Sequence, residues 1–371
     1  MDATWVRRVW EKRGIFCCAL WIVFLPFSFL YGLAIQIRNL LYSLRWLTIQ
    51  SLPRVVVSVG NLTVGGTGKT PTTIWLAGEL RRQGHRVAIL SRGYKRAGKG
   101  TVILEPAAEP PPFFGDKQDL LAAGDEPVMM ARVFGQRVGV GKSRHEVGSR
   151  MLSESEVDVF ILDDGFQHRQ LNRDIDLLLL GSDWNGWLIP AGPFREPRRS
   201  LSRANFYLVT GSREKWQRFL AGRPRGTIFF GALQPKALLT LMGGQWKEYP
   251  LSLMGRSKIL AVSAVADPTP FYRMIHDWEG EIVDAIEFPD HRSYSSKDWQ
   301  RISRAARYVD FILTTEKDIM KLARFPFAMK KLLALRVEMV VEDGNALIKA
   351  VEEAIRGRQG TETKIEAERR G

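Results

Sequence analysis

Cysteine is nearly absent from this chain. The two present, Cys17 and Cys18, are adjacent and lie in an apolar run. Neighbouring cysteines rarely bridge each other, so a disulfide framework and a thiolate metal site are both excluded, and a reducing compartment fits. Zinc-finger spacing is missing, as is a basic stripe interleaved with aromatics, which ranks nucleic acid last among acidic partners. Internal repeats are also lacking. Charge vanishes between Ile15 and Ile35, over "IFCCALWIVFLPFSFLYGLAI". A helix of that length spans about 31 Å, roughly one bilayer core. Arg7, Arg8, Lys12 and Arg13 precede it, and Arg38 and Arg45 follow. The short apolar core and small-residue cleavage site of a signal peptide are not evident. Basic residues at both ends leave little asymmetry to orient a crossing, and Pro26 can kink a spanning helix or mark a segment that dips in and returns. A buried soluble helix is the alternative. The expectation is membrane attachment, with a full crossing left open.

What is present describes a folded protein. The 371 residues suffice for two domains, and 45% are hydrophobic against 25% charged. The formal net charge of +14 suits nucleic acid, anionic lipid or a phosphorylated substrate.

After the apolar segment (1–50), strands and helices alternate. "RVVVSV" (54–59) is a continuous apolar run, as a buried parallel strand should be. In the helix that follows, Ile74, Leu76, Ala77 and Leu80 share a face, and Gly84 can stop it. Further strands are predicted at "RVAILS", 137–141, 157–162, 175–180 and 205–211, with a loop over 106–119. Such βα repetition predicts an α/β fold, an open parallel sheet with helices on both faces, for residues 51–225. The rhythm loosens over 226–257, read as a linker. A second, smaller α/β set follows over 258–356, and the polar residues 357–371 read as a frayed, disordered tail.

Residues 63–70, "TVGGTGKT", stand between a predicted strand and a predicted helix. A P-loop needs glycines where amides close around phosphate, a lysine for the β/γ-phosphates and a hydroxyl on magnesium. Gly65, Gly66 and Gly68 supply the bend, Lys69 the cation and Thr70 the hydroxyl, and the helix dipole adds to them. Thr63 departs from the motif, which has glycine there. The expected nucleotide-binding stretch is thus Thr63, Val64, Gly65, Gly66, Thr67, Gly68, Lys69 and Thr70, with ATP and Mg2+ as cofactors. A strand-end aspartate should hold the hydrated magnesium. Asp163 and Asp164 of "VDVFILDDG" sit at a strand's carboxyl end, where open α/β sheets bind ligands.

A kinase also needs a carboxylate or imidazole near the acceptor oxygen. Asp125 and Glu126 of "AGDEPVMMA" stand at a predicted helix start, where capping is the plainer role. Asp290 and His291 of "PDHRSY" can place an imidazole at the cleft or stay solvated. Arg195, Arg198, Arg199 and Arg203, with Arg169 earlier, can grip phosphate or form a solvated helix face.

Taken in order, "VGNLTVGGTGKTP", "LSRGY", "GDEP", "VGKSR", "DDGFQH", "PAGPFREP" and "FPDHRSY" resemble the tetraacyldisaccharide 4′-kinase family, the lipid A 4′-kinases of Gram-negative bacteria. The resemblance runs from the apolar segment to about residue 320, and Thr63 matches it, since the family commonly has Ser or Thr there. It implies a P-loop α/β/α domain and a smaller α/β/α domain joined by a β linker. It implies transfer of the ATP γ-phosphate to the 4′-hydroxyl of a tetraacyldisaccharide 1-phosphate, with Asp125 as base and His291 as its partner. Lys69 and Thr70 would serve phosphates and magnesium, and Asp163, Asp164 and Glu126 the metal shell. His168 and Glu196 match motif positions with roles left open. The expected partners are the lipid-linked disaccharide and anionic lipid of the inner membrane, at its cytoplasmic face, and a monomer is expected.

A rival reading is a membrane-associated regulatory P-loop ATPase of the partitioning type. Such proteins carry a lysine where this chain has Val64, which argues against it. A tethered nucleotide-binding adaptor would need neither Asp125 nor His291.

Overall fold

The computed structural model describes residues 3–370 other than 95, 107–116, 184–185, 222–225, 243–244, 266, 290–291, 324 and 326–330. Helices α1 (Ala3–Trp10) and α2 (Ile15–Ser43) come first, and α2 runs unbroken through Pro26. It is long and apolar enough to cross a membrane. Phe16, Val23, Phe27, Leu30 and Ile37, one or two turns apart, are exposed. The first α/β unit then comprises β1 (Val55–Asn61), α3 (Lys69–Arg82), β2 (Val87–Ser91), β3 (Val102–Leu104), α4 (Lys117–Ala123), α5 (Asp125–Arg132), β4 (Arg137–Val140), α6 (Arg144–Glu154), β5 (Val159–Asp163), β6 (Ile175–Leu180), β7 (Phe206–Val209) and α7 (Arg213–Leu220). The loop expected at 106–119 falls mostly outside the described residues, and α4 begins within it.

The second unit holds β10 (Lys258–Ser263), α8 (Thr269–Asp277), β11 (Glu281–Glu287), α9 (Ser296–Ala305), β12 (Phe311–Thr315), α10 (Glu316–Leu322), β13 (Leu332–Val341) and α11 (Gly344–Arg370). Between the units, where a linker is expected, run β8 (Thr227–Met242) and β9 (Gln245–Tyr249). Strand β8 belongs to both halves. Its first residues pair parallel with β7, and from Gly231 onward it pairs antiparallel with β13. Among the described residues, thirteen strands thereby join into one sheet, ordered β11-β10-β12-β13-β8-β7-β6-β1-β5-β2-β4-β3, with β9 on β8. The residues expected as a tail lie in the last helix. Helix α11 continues to Arg370, because the polar residues there include strong helix formers such as Lys, Glu, Arg and Ala.

The β1 run is apolar throughout because both of its faces are covered. Val55, Val57 and Val59 pack with Leu76, Ala77 and Leu80 of α3. Val56 points the other way, towards Val147 and Met151 of α6. Every residue of β1 is buried, the signature of a central parallel strand. Its neighbours are β5 and β6. The β1–β5 register sets Val59 opposite Asp163, so the loops leaving these two strands start side by side.

Candidate active site

The glycine loop joins the end of β1 to the start of α3. Gly65 and Gly68 have φ of +117° and +85°, backbone that a side chain would strain. Thr63 is not among the residues with positive φ. Its backbone pairs with Phe194 and its side chain is buried, so glycine is not required at the motif's departure point. A Cβ at Gly65 or Gly66 would meet nothing within 4 Å, and both residues are exposed. The loop thus presents bare backbone beside a helix N-terminus, which fits a phosphate chain. Asn61 Nδ2 donates to Thr67 Oγ1 at 2.9 Å. Lys69 Nζ donates to Asn61 Oδ1 at 3.3 Å and to the Gly65 carbonyl at 3.4 Å, and lies 3.7 Å from Asp164 Oδ1. These are long contacts, from which an ammonium moves readily to a phosphate.

At the end of β5 the two aspartates part company. Asp163 is buried; burial first, then the nearby charges of Glu126 and Asp164, push its carboxyl upward. Thr73 Oγ1 approaches it at 3.5 Å. Asp164 takes a left-handed φ of 50°, which aspartate tolerates. Burial pushes this carboxyl up as well, but Lys69 and Arg195 outweigh it, and the net displacement is downward. Arg144 faces the same pair. It is 5% exposed and its Nε has no hydrogen-bond partner. Burial and Arg92 bring its guanidinium down to about 10. His168 is lowered to about 4 by burial and by Arg144, Arg173 and Arg92, so its imidazole is neutral at pH 7.

Across the loop, Asp125 and Glu126 open α5, as the sequence predicts. Gly124 occupies the N-cap and offers no side-chain cap, so both carboxylates are released from a capping duty. Each meets a lysine of α10 instead. Lys321 Nζ lies 2.6 Å from Asp125 Oδ2, and Lys317 Nζ 3.3 Å from Glu126 Oε1. Asp290 and His291 lie outside the described residues.

The arginine-rich segment is occupied structurally rather than left as a free phosphate grip. Arg195 Nη1 donates to both oxygens of Asp164. Arg203 pairs with Glu196 at 2.7 Å and lies over Phe166, and Arg198 lies over Phe219. Arg169 donates to the Asn39 carbonyl. Glu196 is 0% exposed and also accepts from Arg38 and Asn39 of α2. The same helix fastens the preceding chain. Trp21 Nε1 donates to the Ala191 carbonyl at 2.9 Å, Ser28 to that of Leu188, and Tyr31 Oη to that of Arg195 at 2.8 Å. In turn, Val64 N donates to the Pro193 carbonyl at 2.8 Å, and Arg195 N to that of Leu62 at 2.7 Å. Residues 188–196 therefore lie as a strap between the apolar helix and the phosphate loop.

The family model for Tetraacyldisaccharide-1-P 4′-kinase matches residues 20–356. The chain belongs to this family. A tetraacyldisaccharide 4′-kinase of Syntrophus aciditrophicus is 37% identical over 91% of this chain and 94% of the relative. That of Aquifex aeolicus is 34% identical over 88% and 96%. The crystal structure of LpxK from Aquifex aeolicus in complex with ATP aligns with a TM-score of 0.71, at 33% identity, covering 89% of this chain and 98% of that one. The α/β P-loop core and the second, smaller α/β unit are thus those of a tetraacyldisaccharide 4′-kinase.

The donor set has bearing on magnesium. Among the described residues no three His, Cys, Asp or Glu side chains form a metal-holding group. Magnesium is commonly bound by one or two carboxylates together with phosphate oxygens. Among the described residues Asp163 lacks a cationic partner at ion-pair distance, whereas Asp164 is already taken by Arg195 and Lys69. Sequence reasoning missed Asn61, Arg92, Arg144, Lys317 and Lys321. Arg92 and Arg144 sit within motifs quoted above, but nothing local revealed that Arg144 would face Asp163 or that Arg92 would act on Arg144 and His168.

Proposed function

We propose that this protein moves the γ-phosphate of ATP to the 4′-hydroxyl of a tetraacyldisaccharide 1-phosphate, a step of lipid A synthesis, at the cytoplasmic face of the inner membrane. The observation that carries this reading is the β1–β5 register. It sets Asp163 at the mouth of a glycine loop whose lysine already leans on the neighbouring aspartate. Amides of residues 65–70, with Lys69, hold the triphosphate, while Thr63 and Val64 anchor the loop to the strap. Thr70 and Asp163 would hold magnesium, with Asp164 and Glu126 in support, and an ion bound there would supply charge neutralisation for the phosphates. Asp125 takes the proton of the 4′-hydroxyl as its oxygen bonds to the γ-phosphorus. The bond to the β–γ bridging oxygen breaks and ADP leaves. His291 partners Asp125 in this scheme.

The acyl chains keep the acceptor in a bilayer, so the enzyme works at its surface. The exposed row of α2 and the net charge of +14 suit anionic lipid there. The test is purified enzyme with ATP, magnesium and the disaccharide 1-phosphate, with the product located by mass spectrometry. A phosphate on the 4′ position is expected. Phosphate released only into solution would make the protein an ATPase and overturn the reading.

A further inference from the structure

Helix α10 was invisible in the sequence pattern, yet it reaches the acid pair of α5 from the second unit. Its start is fixed twice over. Thr315 Oγ1 accepts from Asp318 N at 3.2 Å, and Asp318 Oδ2 accepts from Thr315 Oγ1 and from Ala264 N, both at 2.8 Å. Asp318 is 0% exposed. It ties α10 to the end of β10 and so sets the rotation of the helix about its axis. Lys317 and Lys321, one turn apart, then share a face. That face meets two successive residues of α5, Asp125 and Glu126.

We propose that Lys321 is a positioning residue for the Asp125 carboxylate, with Lys317 doing the same for Glu126. This rests on the reading of Asp125 as the base. Lysine carries about 2 kcal/mol of rotamer entropy and is rarely buried without a role, yet the Lys321 side chain is 10% exposed. Surface pairs contribute little, but a pair withdrawn from water fixes geometry. The contact is ionic, with no N–H aligned as a regular hydrogen bond. It engages Oδ2 and draws the carboxylate towards α10, and in this scheme Oδ1 takes the proton of the acceptor hydroxyl. The base is thereby held from one unit by a cation supplied by the other. General-base catalysis tolerates little displacement, because the base must lie within about 2.6–3.2 Å of the proton-bearing oxygen.

The test uses the full-length protein with ATP, magnesium and the disaccharide 1-phosphate in lipid–detergent micelles. Lys321→Met keeps length and removes charge. It is expected to lower kcat about tenfold or more, with KM for both substrates within about threefold, because ground-state binding is untouched. Lys321→Arg should recover most of the loss. Asp125→Ala combined with Lys321→Met should be no slower than Asp125→Ala alone, the non-additivity of two groups acting as one. Should Lys321→Met fold poorly, the paired neutral variant Asp125→Asn with Lys321→Met leaves no buried lone charge. It should fold and turn over no more slowly than Asp125→Asn alone, and a further loss would count against the proposal. A kcat within twofold of the parent for Lys321→Met, or losses that multiply in the double variant, would overturn it. Parental turnover by Asp125→Ala would bring down the base assignment itself, and this inference with it.

Discussion

Arg195 holds Asp164 by a single nitrogen, Nη1 lying 3.0 Å from Oδ1 and 2.8 Å from Oδ2. Lys69 stands on the other side of the same carboxylate. One aspartate of the pair is thus bound up with cations while its neighbour, Asp163, is left to raise its pKa in a buried setting. Arg195→Met should free Asp164. A hydrogen bond to a charged group contributes about 1.5–3 kcal/mol, so kcat should fall about ten- to a hundredfold. Steady-state rates with saturating ATP check this, and an unchanged kcat would mean that the left-handed turn alone fixes Asp164.

Lys69→Ala should abolish transfer, since no other ammonium among the described residues is placed against the glycine loop. Single-turnover measurements with labelled ATP decide it. Activity near the parent's would mean that the nucleotide binds elsewhere.

Asp125→Ala should lower kcat by about 10²–10⁴ if its carboxylate is the base. Turnover close to the parent's would remove Asp125 from that role.

Much of this architecture was legible in the sequence, and the failures have common causes. Buried parallel strands announce themselves as apolar runs, so β1, β5 and β6 lie within a few residues of their expected places. The glycine loop and both acid pairs stand out as short motifs, and the structure sets them at a strand–helix turn, a helix start and a strand end. Strand β8 was not legible, because it serves both halves of the sheet, parallel to β7 and then antiparallel to β13, and carries no single burial pattern. Helix α10 is only seven residues long, too short to show a period, and its lysines meet the acid pair some 190 residues away in sequence. The arginines of 195–203 looked available for phosphate. Their partners, Glu196, Asp164 and two aromatic rings, become apparent only when α2 and the strap fold together.

Stability should also record a buried acid outside the catalytic cleft. Burial pushes the Glu316 carboxyl up to about 8 from an ordinary 4.5, while the Val337 amide and Arg336 pull the other way. The folded chain therefore keeps a proton that the unfolded chain gives up. The contribution is whole below pH 4.5 and is lost as pH rises through 8. Glu316→Gln has no proton to release, so its melting temperature should fall less than the parent's between pH 5 and pH 8. Parallel curves would show that the carboxyl is ionised in the fold.

Deleting residues 1–36 should release the protein from membranes, as flotation on a density gradient would show. Continued co-migration with vesicles would place the anchor on another surface.

That same truncation would do more than unmoor the enzyme. Trp21, Ser28 and Tyr31 hold backbone carbonyls of the strap, and the strap leads into the arginine beside Asp164. Anyone trimming the greasy end to obtain a well-behaved soluble version would also be loosening a wall of the reaction chamber. A sluggish fragment would then say nothing about whether the bilayer itself is needed for turnover.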